Sequence, residues 1–354
     1  MEPGWSDSLV LDYDRAAIRS PSWRIKEWDY YCVLARDFAL ALTVADNGYM
    51  GLLSASFLDL AARSEESASA MTAFPMGSWR LPSGSGLGVT EADSRGARLR
   101  FEAEEGRRRL SFSWTSFASD GRGLEGEITL REQPGRASMV IATPFVRPRR
   151  GFYYNQKINC QAAEGFFRLG DREIALPEGS AYAVLDWGRG VWPWSNSWLW
   201  GSASGCAARD AKGSALRSDN GEAARDAKGG ALRSDNGEAA RPFGFNIGYG
   251  FGDTSAASEN MVFYDGRAHK IGRLSIDMDK SDFLKPWRAV SEDGRLDLVL
   301  EPILDRASAT DLGLLASIQH QVFGRWRGRA ILDDGSSVEF EELPGFCEKV
   351  VNRW

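Results

Sequence analysis

Five Asn-Gly or Asp-Gly pairs, each set between segments of apolar alternation, restrict this chain more than any other feature. Asn47-Gly48 parts residues 37–44 from 49–57, and Asp120-Gly121 parts 110–114 from 124–130. Asp265-Gly266 joins 261–264 to 267–271, Asp293-Gly294 joins 287–290 to 295–300, and Asp334-Gly335 joins 329–332 to 336–340. Tight hairpin turns need positive φ at their centre, and Asn, Asp and Gly accept it. Five hairpins spread over 354 residues predict an all-β meander. Closing such sheets on themselves removes their unpaired edges. The expected fold is two antiparallel β-barrels or barrel-like halves, residues 1–150 and 151–354, with few short helices. Helical spacing is weak: 57–66 is expected to hold a turn or two, and 307–312 to coil briefly.

Residues 186–200 carry five of the 13 tryptophans. In an extended chain Trp192, Trp194, Trp198 and Trp200 would share one face with Asn196. Each indole buries about 150–250 Å², so four together line a core, a ligand cavity or a partner surface. Asp186 and Arg189, bracketed by Gly188 and Gly190, are expected to meet across a sharp turn and form the polar end of that aromatic face. A structural ion pair capping a core is the alternative for the same two residues. The segment 244–252 alternates Phe245, Ile247, Tyr249 and Phe251 with Gly244, Asn246, Gly248, Gly250 and Gly252. Its bare face leaves room for the indoles or for a ligand. Asp253, Glu259 and Asn260 follow at its end.

Composition narrows the function. Net charge is −6 with both signs interspersed, which argues against a nucleic-acid partner. No apolar run approaches the length of a membrane span. Met1 to Asp7 lacks the basic and apolar regions of a secretory signal, and Cys32, Cys160, Cys206 and Cys347 lie far apart. A cytoplasmic protein with reduced thiols is expected. With His269 and His320 alone available, no His-rich zinc site is expected. No P-loop, G-x-S-x-G or H-E-x-x-H motif is present, so neither metal nor cofactor is expected. Residues 207–222 recur at 223–238 with one change, Ser214 becoming Gly230. Two such polar units cannot bury a core, so 207–238 is read as a disordered insertion between strands.

Four stretches carry a family resemblance. They are Tyr153-Tyr-Asn-Gln-Lys-Ile-Asn-Cys160, Asp186-Trp-Gly-Arg-Gly-Val-Trp192, the glycine-rich 244–252 and Gly345-Phe-Cys-Glu-Lys-Val-Val-Asn-Arg-Trp354. From about Trp23 onward the chain resembles the uncharacterised bacterial family known as domain of unknown function 2804. That family is similar in organisation to two-barrel, lipocalin-like proteins such as carotenoid hydratases, tocopherol cyclases and Diels–Alder cyclases. The resemblance implies lipocalin-like barrels and an apolar polyene- or terpenoid-like partner. Fold alone does not fix function.

Three functions follow as expectations. The first is binding of an apolar small molecule in a tryptophan-lined cavity by Arg189, Trp192, Trp194, Asn196, Trp198, Trp200, Asn246, Tyr249 and Asn260. The second is a cofactor-independent hydratase, isomerase or cyclase on the same scaffold, with Asp186, Asp253 or Glu259 as candidate catalytic residues. Burial raises a carboxyl pKa and a paired arginine lowers it, so Asp253 and Glu259 are better proton donors than an Arg-paired Asp186. For them a turn-stabilising role is the competing reading. The third is a carbohydrate-binding module.

Overall fold

The structure, a computed structural model, describes residues 2–132, 135–147, 150–210, 239–311, 313 and 316–353. It is nearly all β. Among the described residues the helical segments are two single 3₁₀ turns, Arg15–Ala17 and Ser22–Arg24, and no helix is long and apolar enough to cross a membrane. All five Asn-Gly and Asp-Gly pairs fall in connections between antiparallel neighbours. Asp265 and Gly266 have φ of 49° and 80°, the left-handed pair that a two-residue turn requires.

Two sheets result. The first runs, neighbour by neighbour, through Ser64–Ala73, Met50–Asp59, Phe38–Asp46, Ile25–Ala35, Ala181–Val191, Phe152–Leu169, Leu124–Arg131, Arg107–Trp114, Ala97–Glu104 and Gly88–Ser94. Its two ends approach each other, with Thr72 Oγ1 3.4 Å from Ser94 Oγ, so the sheet is a nearly closed barrel. The second runs through Arg267–Lys270, Met261–Tyr264, Arg241–Tyr249, Ser195–Ala207, Ser337–Arg353, Ala316–Ile331, Leu296–Asp311, Trp287–Ser291 and Leu274–Asp277, a half-barrel.

Several expectations change. Residues 57–66 form the turn of the hairpin Met50–Asp59/Ser64–Ala73, held by cross-strand serines such as Ser67 and Ser56 at 2.8 Å. Ala307–Asp311 pairs with Ala316–His320 instead of coiling. Long-range pairing overrides weak helical propensity in both. The chain crosses between sheets at 192–194. The strands Phe152–Leu169 and Ala181–Val191, which a division at 150 assigns to the second half, are hydrogen-bonded into the first sheet. Arg209–Asp210 pairs with the Ser337–Arg353 strand, so ordered pairing reaches beyond 207. The remainder of the expected insertion, 211–238, lies outside the described residues.

Side-chain alternation then makes three cores. Tyr31, Leu42, Phe101, Leu110, Phe167 and Trp187 fill the barrel, while Phe243, Phe245, Trp287 and Trp326 fill the half-barrel. The outward face of the barrel, with Tyr30, Cys32, Tyr153 and Val184, packs against Trp200, Phe263, Phe323 and Phe346 of the second sheet. A bulge in the Phe152–Leu169 strand, between Ile158 and Gln161, turns Asn159 and Cys160 toward that second sheet. Asn159 Nδ2 donates to Ser202 Oγ at 2.8 Å and to Phe245 O at 3.0 Å. The Cys160 amide donates to Ser204 Oγ at 3.0 Å. Asn159→Leu removes these bonds from the seam and should destabilise the protein by about 1–3 kcal/mol. Denaturant unfolding checks this, and an unchanged midpoint would show that the bulge is not what ties the sheets.

Candidate functional site

The layer between the sheets is aromatic with a charged centre. On the Phe152–Leu169 strand, period-two alternation puts Tyr153, Asn155 and Lys157 on the face toward the second sheet. Lys157 is directly opposite Asp186 in register, and its Nζ lies 3.3 Å from Asp186 Oδ2. Asn155 Nδ2 holds the other oxygen, Oδ1, at 2.5 Å. From the second sheet Trp200 lays its ring under the ammonium, with Nζ 3.9 Å from the ring centroid. Its Nε1 donates to Asn246 Oδ1 at 2.6 Å, and Asn246 Nδ2 donates to the Glu259 carbonyl at 2.9 Å.

Two glutamates flank this pair. Glu348 accepts from Trp198 Nε1 at 2.6 Å on Oε1 and from Gln321 Nε2 at 3.1 Å on Oε2. Glu259 is 1% exposed, and its Oε1 lies over Gly248, where a Cβ would stand 2.7 Å away. Neither of its oxygens has a donor at hydrogen-bonding geometry, although Lys157, Lys270 and the Asn246 amide favour its charged form. Burial is the largest cause of shift in each, pushing both carboxyls from the ordinary 4.5 up to about 7, with Asp186 adding to the rise. Burial and the carboxylates of Glu259, Asp186 and Glu348 push the Tyr153 phenol well above its usual range.

The sequence-predicted residues divide. Trp198, Trp200, Asn246, Asp186 and Glu259 meet in this layer. Trp192 joins them, its ring 5.4 Å from that of Trp198 and 5.3 Å from Tyr153. Trp194 does not: the chain turns between sheets at that point, and the residue is 49% exposed. Asn196 braces the turn, donating to Pro193 O at 3.1 Å. Tyr249 lies on the opposite face of its strand, packed against the half-barrel core. Asn260 ties backbone, accepting from Gly248 N and donating to Gly272 O. Asp253 is an exposed turn residue whose Oδ1 accepts from Ser255 N at 2.9 Å, which holds its carboxyl below the usual range.

The expected Asp186–Arg189 pair is not formed. Residues 181–191 make one continuous strand, and two residues three apart on a strand point to opposite faces. Arg189 enters the barrel instead, bonding Asp29 Oδ1 at 3.0 Å, Trp28 O at 2.8 Å and Pro82 O at 2.9 Å. The bracketing glycines are not a turn. Gly188 admits the Trp28 ring, which lies 2.0–2.6 Å from where a Cβ would be.

Lys157, Glu348, Tyr153 and Gln321 escaped the sequence reading. Three of them left a trace, since Tyr153, Lys157 and Glu348 lie within 153–160 and 345–354, two of the stretches that carry the family resemblance, and Glu348 interrupts an apolar face between Phe346 and Val350. Among the described residues no group of three or more His, Cys, Asp or Glu side chains is placed to hold a metal, and all four cysteines are free. The nearby surface has an open depression of about 790 Å³ whose lining includes Phe145, Pro193, Asn196, Gly250, Gly252 and Val351. Phe251, between the two lining glycines, turns inward and stacks on Tyr153 at 5.2 Å.

The two glutamates predict a pH dependence of stability. A carboxyl raised in the folded state binds its proton more tightly there than in the unfolded chain. Its contribution is therefore complete below about 4.5 and is lost as pH rises to about 7. Stability should fall across that window by a few kcal/mol, and the fall should be much smaller in Glu259→Gln/Glu348→Gln. Urea unfolding at a series of pH values checks this, and an identical slope in the variant would remove the two carboxyls as its source.

Known structures share this architecture. The crystal structure of CghA superposes with a TM-score of 0.51 at 10% identity, covering 98% of this chain and 94% of that one. CghA with Sch210972 gives a TM-score of 0.50 at 11% identity, covering 99% and 94%. Kievitone hydratase from Nectria haematococca gives 0.49 at 10% identity, covering 99% and 97%. The two similarities to CghA show the fold. No curated protein matches the sequence. Over residues 1–354 the sequence matches the family described as Domain of unknown function (DUF2804), and the chain belongs to that family.

Proposed function

We propose that the protein is a cofactor-independent acid–base enzyme of the hydratase, isomerase or cyclase kind, acting on an apolar, unsaturated small molecule between its two sheets. The observation that carries this reading is Glu259, a fully buried carboxyl raised to about 7 whose oxygens make no hydrogen bond of good geometry, although Asn246 and Tyr153 lie beside it. An acid poised near neutral pH suits general acid catalysis. The substrate enters from the depression at Gly250 and Gly252, past Phe251. A further support is that CghA, a protein of this fold, was crystallised with Sch210972.

The chemistry is simple. Protonated Glu259 gives its proton to one carbon of an alkene, whose π pair forms the new C–H bond and leaves a cation on the neighbouring carbon. Aromatic faces stabilise such a charge, as the Trp200 face does for Lys157. In a hydratase, water adds to the cation and its surplus proton returns to the Glu259 carboxylate. In an isomerase, the carboxylate removes an adjacent proton. In a cyclase, a second alkene of the same molecule closes on the cation before that proton is lost. Glu259 ends protonated in every case, and no oxidant or cofactor enters.

A binder without turnover uses the same layer, and isotope exchange separates the two. Incubation of the protein in D₂O with a panel of terpenoids, polyenes and prenylated phenols should place solvent deuterium on carbon in at least one of them, read by mass spectrometry. Glu259→Gln should retain ligand-induced tryptophan quenching but lose deuterium incorporation by about a hundredfold or more. The rate in the unmodified protein should fall as pH rises through about 7, because the acid form is then depleted. Saturable quenching with no deuterium uptake by any ligand would make the protein a binder.

A further inference from the structure

Several loops bring large apolar side chains together at one surface. Trp23 and Trp194 flank a small pocket that they share with Tyr49 and Trp192, yet they are 48% and 49% exposed. Trp23 O lies 2.4 Å from where a Cβ of Gly48 would stand, and the Asn47-Gly48 turn holds the loop at 74–77 in its turn. Phe74 N donates to Tyr49 O at 2.9 Å, Met76 N to Gly48 O at 3.0 Å and Gly77 N to Asp46 Oδ2 at 2.7 Å. Phe74 and Met76 have φ of 49° and 48°, a conformation that bulky side chains rarely adopt. Strain of this kind persists only where the surrounding structure enforces it, and the pinned loop leaves Phe74 63% and Met76 46% exposed. On the other side Pro193, next to Trp194, borders the open depression with Val146 and Arg147, and Val146 is 85% exposed.

The arginines of this surface differ from those elsewhere. Exposed arginines commonly lie against carboxylates, as Arg98 does with Glu91, Arg168 with Glu173 and Arg327 with Glu301. Arg24, Arg147 and Arg150 have no carboxylate at ion-pair distance among the described residues, in a chain whose net charge is −6. Arg24 donates to Trp192 O at 3.1 Å, and Asp253, the acid in the lining of the depression, is turned to the Ser255 amide. Exposed apolar groups gathered in this way mark a surface that is covered in use. A second copy across a two-fold axis would bring the same arginines face to face. A phospholipid surface has no such conflict: indoles settle at headgroup depth, apolar tips reach the acyl boundary and arginines meet phosphates. We propose that this surface docks the protein on an anionic phospholipid bilayer, with Trp23, Phe74, Met76, Val146 and Trp194 entering the interface and Arg24, Arg147 and Arg150 on lipid phosphates. Val146 and Arg147 belong also to the rim of the depression, so docking sets that opening at the lipid. The surface is separate from Glu259 and does not depend on the acid–base reading.

Flotation of the full chain with vesicles of equal parts phosphatidylcholine and phosphatidylglycerol tests this, with tryptophan emission as a second readout. The chain should float with these vesicles, and its emission should shift to the blue as half-exposed indoles leave water. Phosphatidylcholine alone should bind it roughly tenfold or more weakly, and raising salt from about 0.05 M to about 0.5 M should release it. Phe74→Asn/Trp194→Ser keeps at position 74 a residue that accepts positive φ. Its urea midpoint should be unchanged, while its binding to the mixed vesicles weakens by roughly tenfold or more. Arg147→Gln/Arg150→Gln should lose the preference for phosphatidylglycerol, and Glu259→Gln should float as the unmodified chain does. No flotation with the mixed vesicles, equal binding to phosphatidylcholine alone, full binding in Phe74→Asn/Trp194→Ser, or a retained preference in the arginine variant would overturn the proposal. A dimer in sedimentation that Phe74→Asn/Trp194→Ser dissociates would make a second copy the occupant and overturn it too.

Discussion

A lysine ammonium held between two sheets is the constraint to which the rest of this structure answers. An isolated charge in such a place costs several kcal/mol unless it is paired and its remaining directions are satisfied. Lys157 meets the requirement with groups from three strands: Asp186 opposite it in the barrel, Asn155 orienting Asp186, and the Trp200 face from the half-barrel. The arrangement works only if the Phe152–Leu169 and Ala181–Val191 strands are in this register. A slip of one residue would turn Lys157 into the apolar barrel. The polar centre thus fixes both the pairing within the first sheet and the seat of the second upon it.

The bulge two residues further on continues this logic. Before it, odd-numbered residues of the strand face the second sheet; after it, Cys160 and not an odd residue does so, while Phe167 returns to the barrel core. A bulge inserts one residue and so exchanges faces. Asn159 uses the inserted position to donate into the second sheet. One strand thereby serves as the barrel wall, the floor of the charged layer and the joint between sheets.

Much of this was legible in the sequence, for identifiable reasons. Hairpin turns are encoded locally, by Asn-Gly and Asp-Gly, so all five appeared where expected. The indoles were legible as a group because alternation is also local, and Trp198 and Trp200 do share a face. Reading Trp192 to Trp200 as one extended run failed at Trp194, because nothing nearby marks the passage from one sheet to the other. The supposed Asp186–Arg189 turn failed for a related reason. Gly188 and Gly190 resemble turn residues, but here Gly188 makes room for the Trp28 ring, whose approach is set by a strand distant in sequence. Lys157 and Glu348 were hidden because a lone charge on a strand looks like a solvated residue until its partners, 29 and 150 positions away in Asp186 and Trp198, are known.

The contrast between the two raised glutamates bears on which of them can transfer a proton. Both sit near 7, and burial dominates both. Glu348 has one oxygen held by the Trp198 indole and the other by the Gln321 amide, which anchor its carboxyl in place. Glu259 makes no hydrogen bond of that quality, although Asn246 and Tyr153 lie beside it, and its carboxyl rests on the bare backbone of Gly248 beside the Phe251 ring edge. A chain shaped only for stability would fill this position with an apolar side chain, since an unsatisfied buried carboxyl costs free energy and contributes no bond in return. The arrangement is understandable if the missing partner is a molecule that arrives past Phe251 and takes the proton.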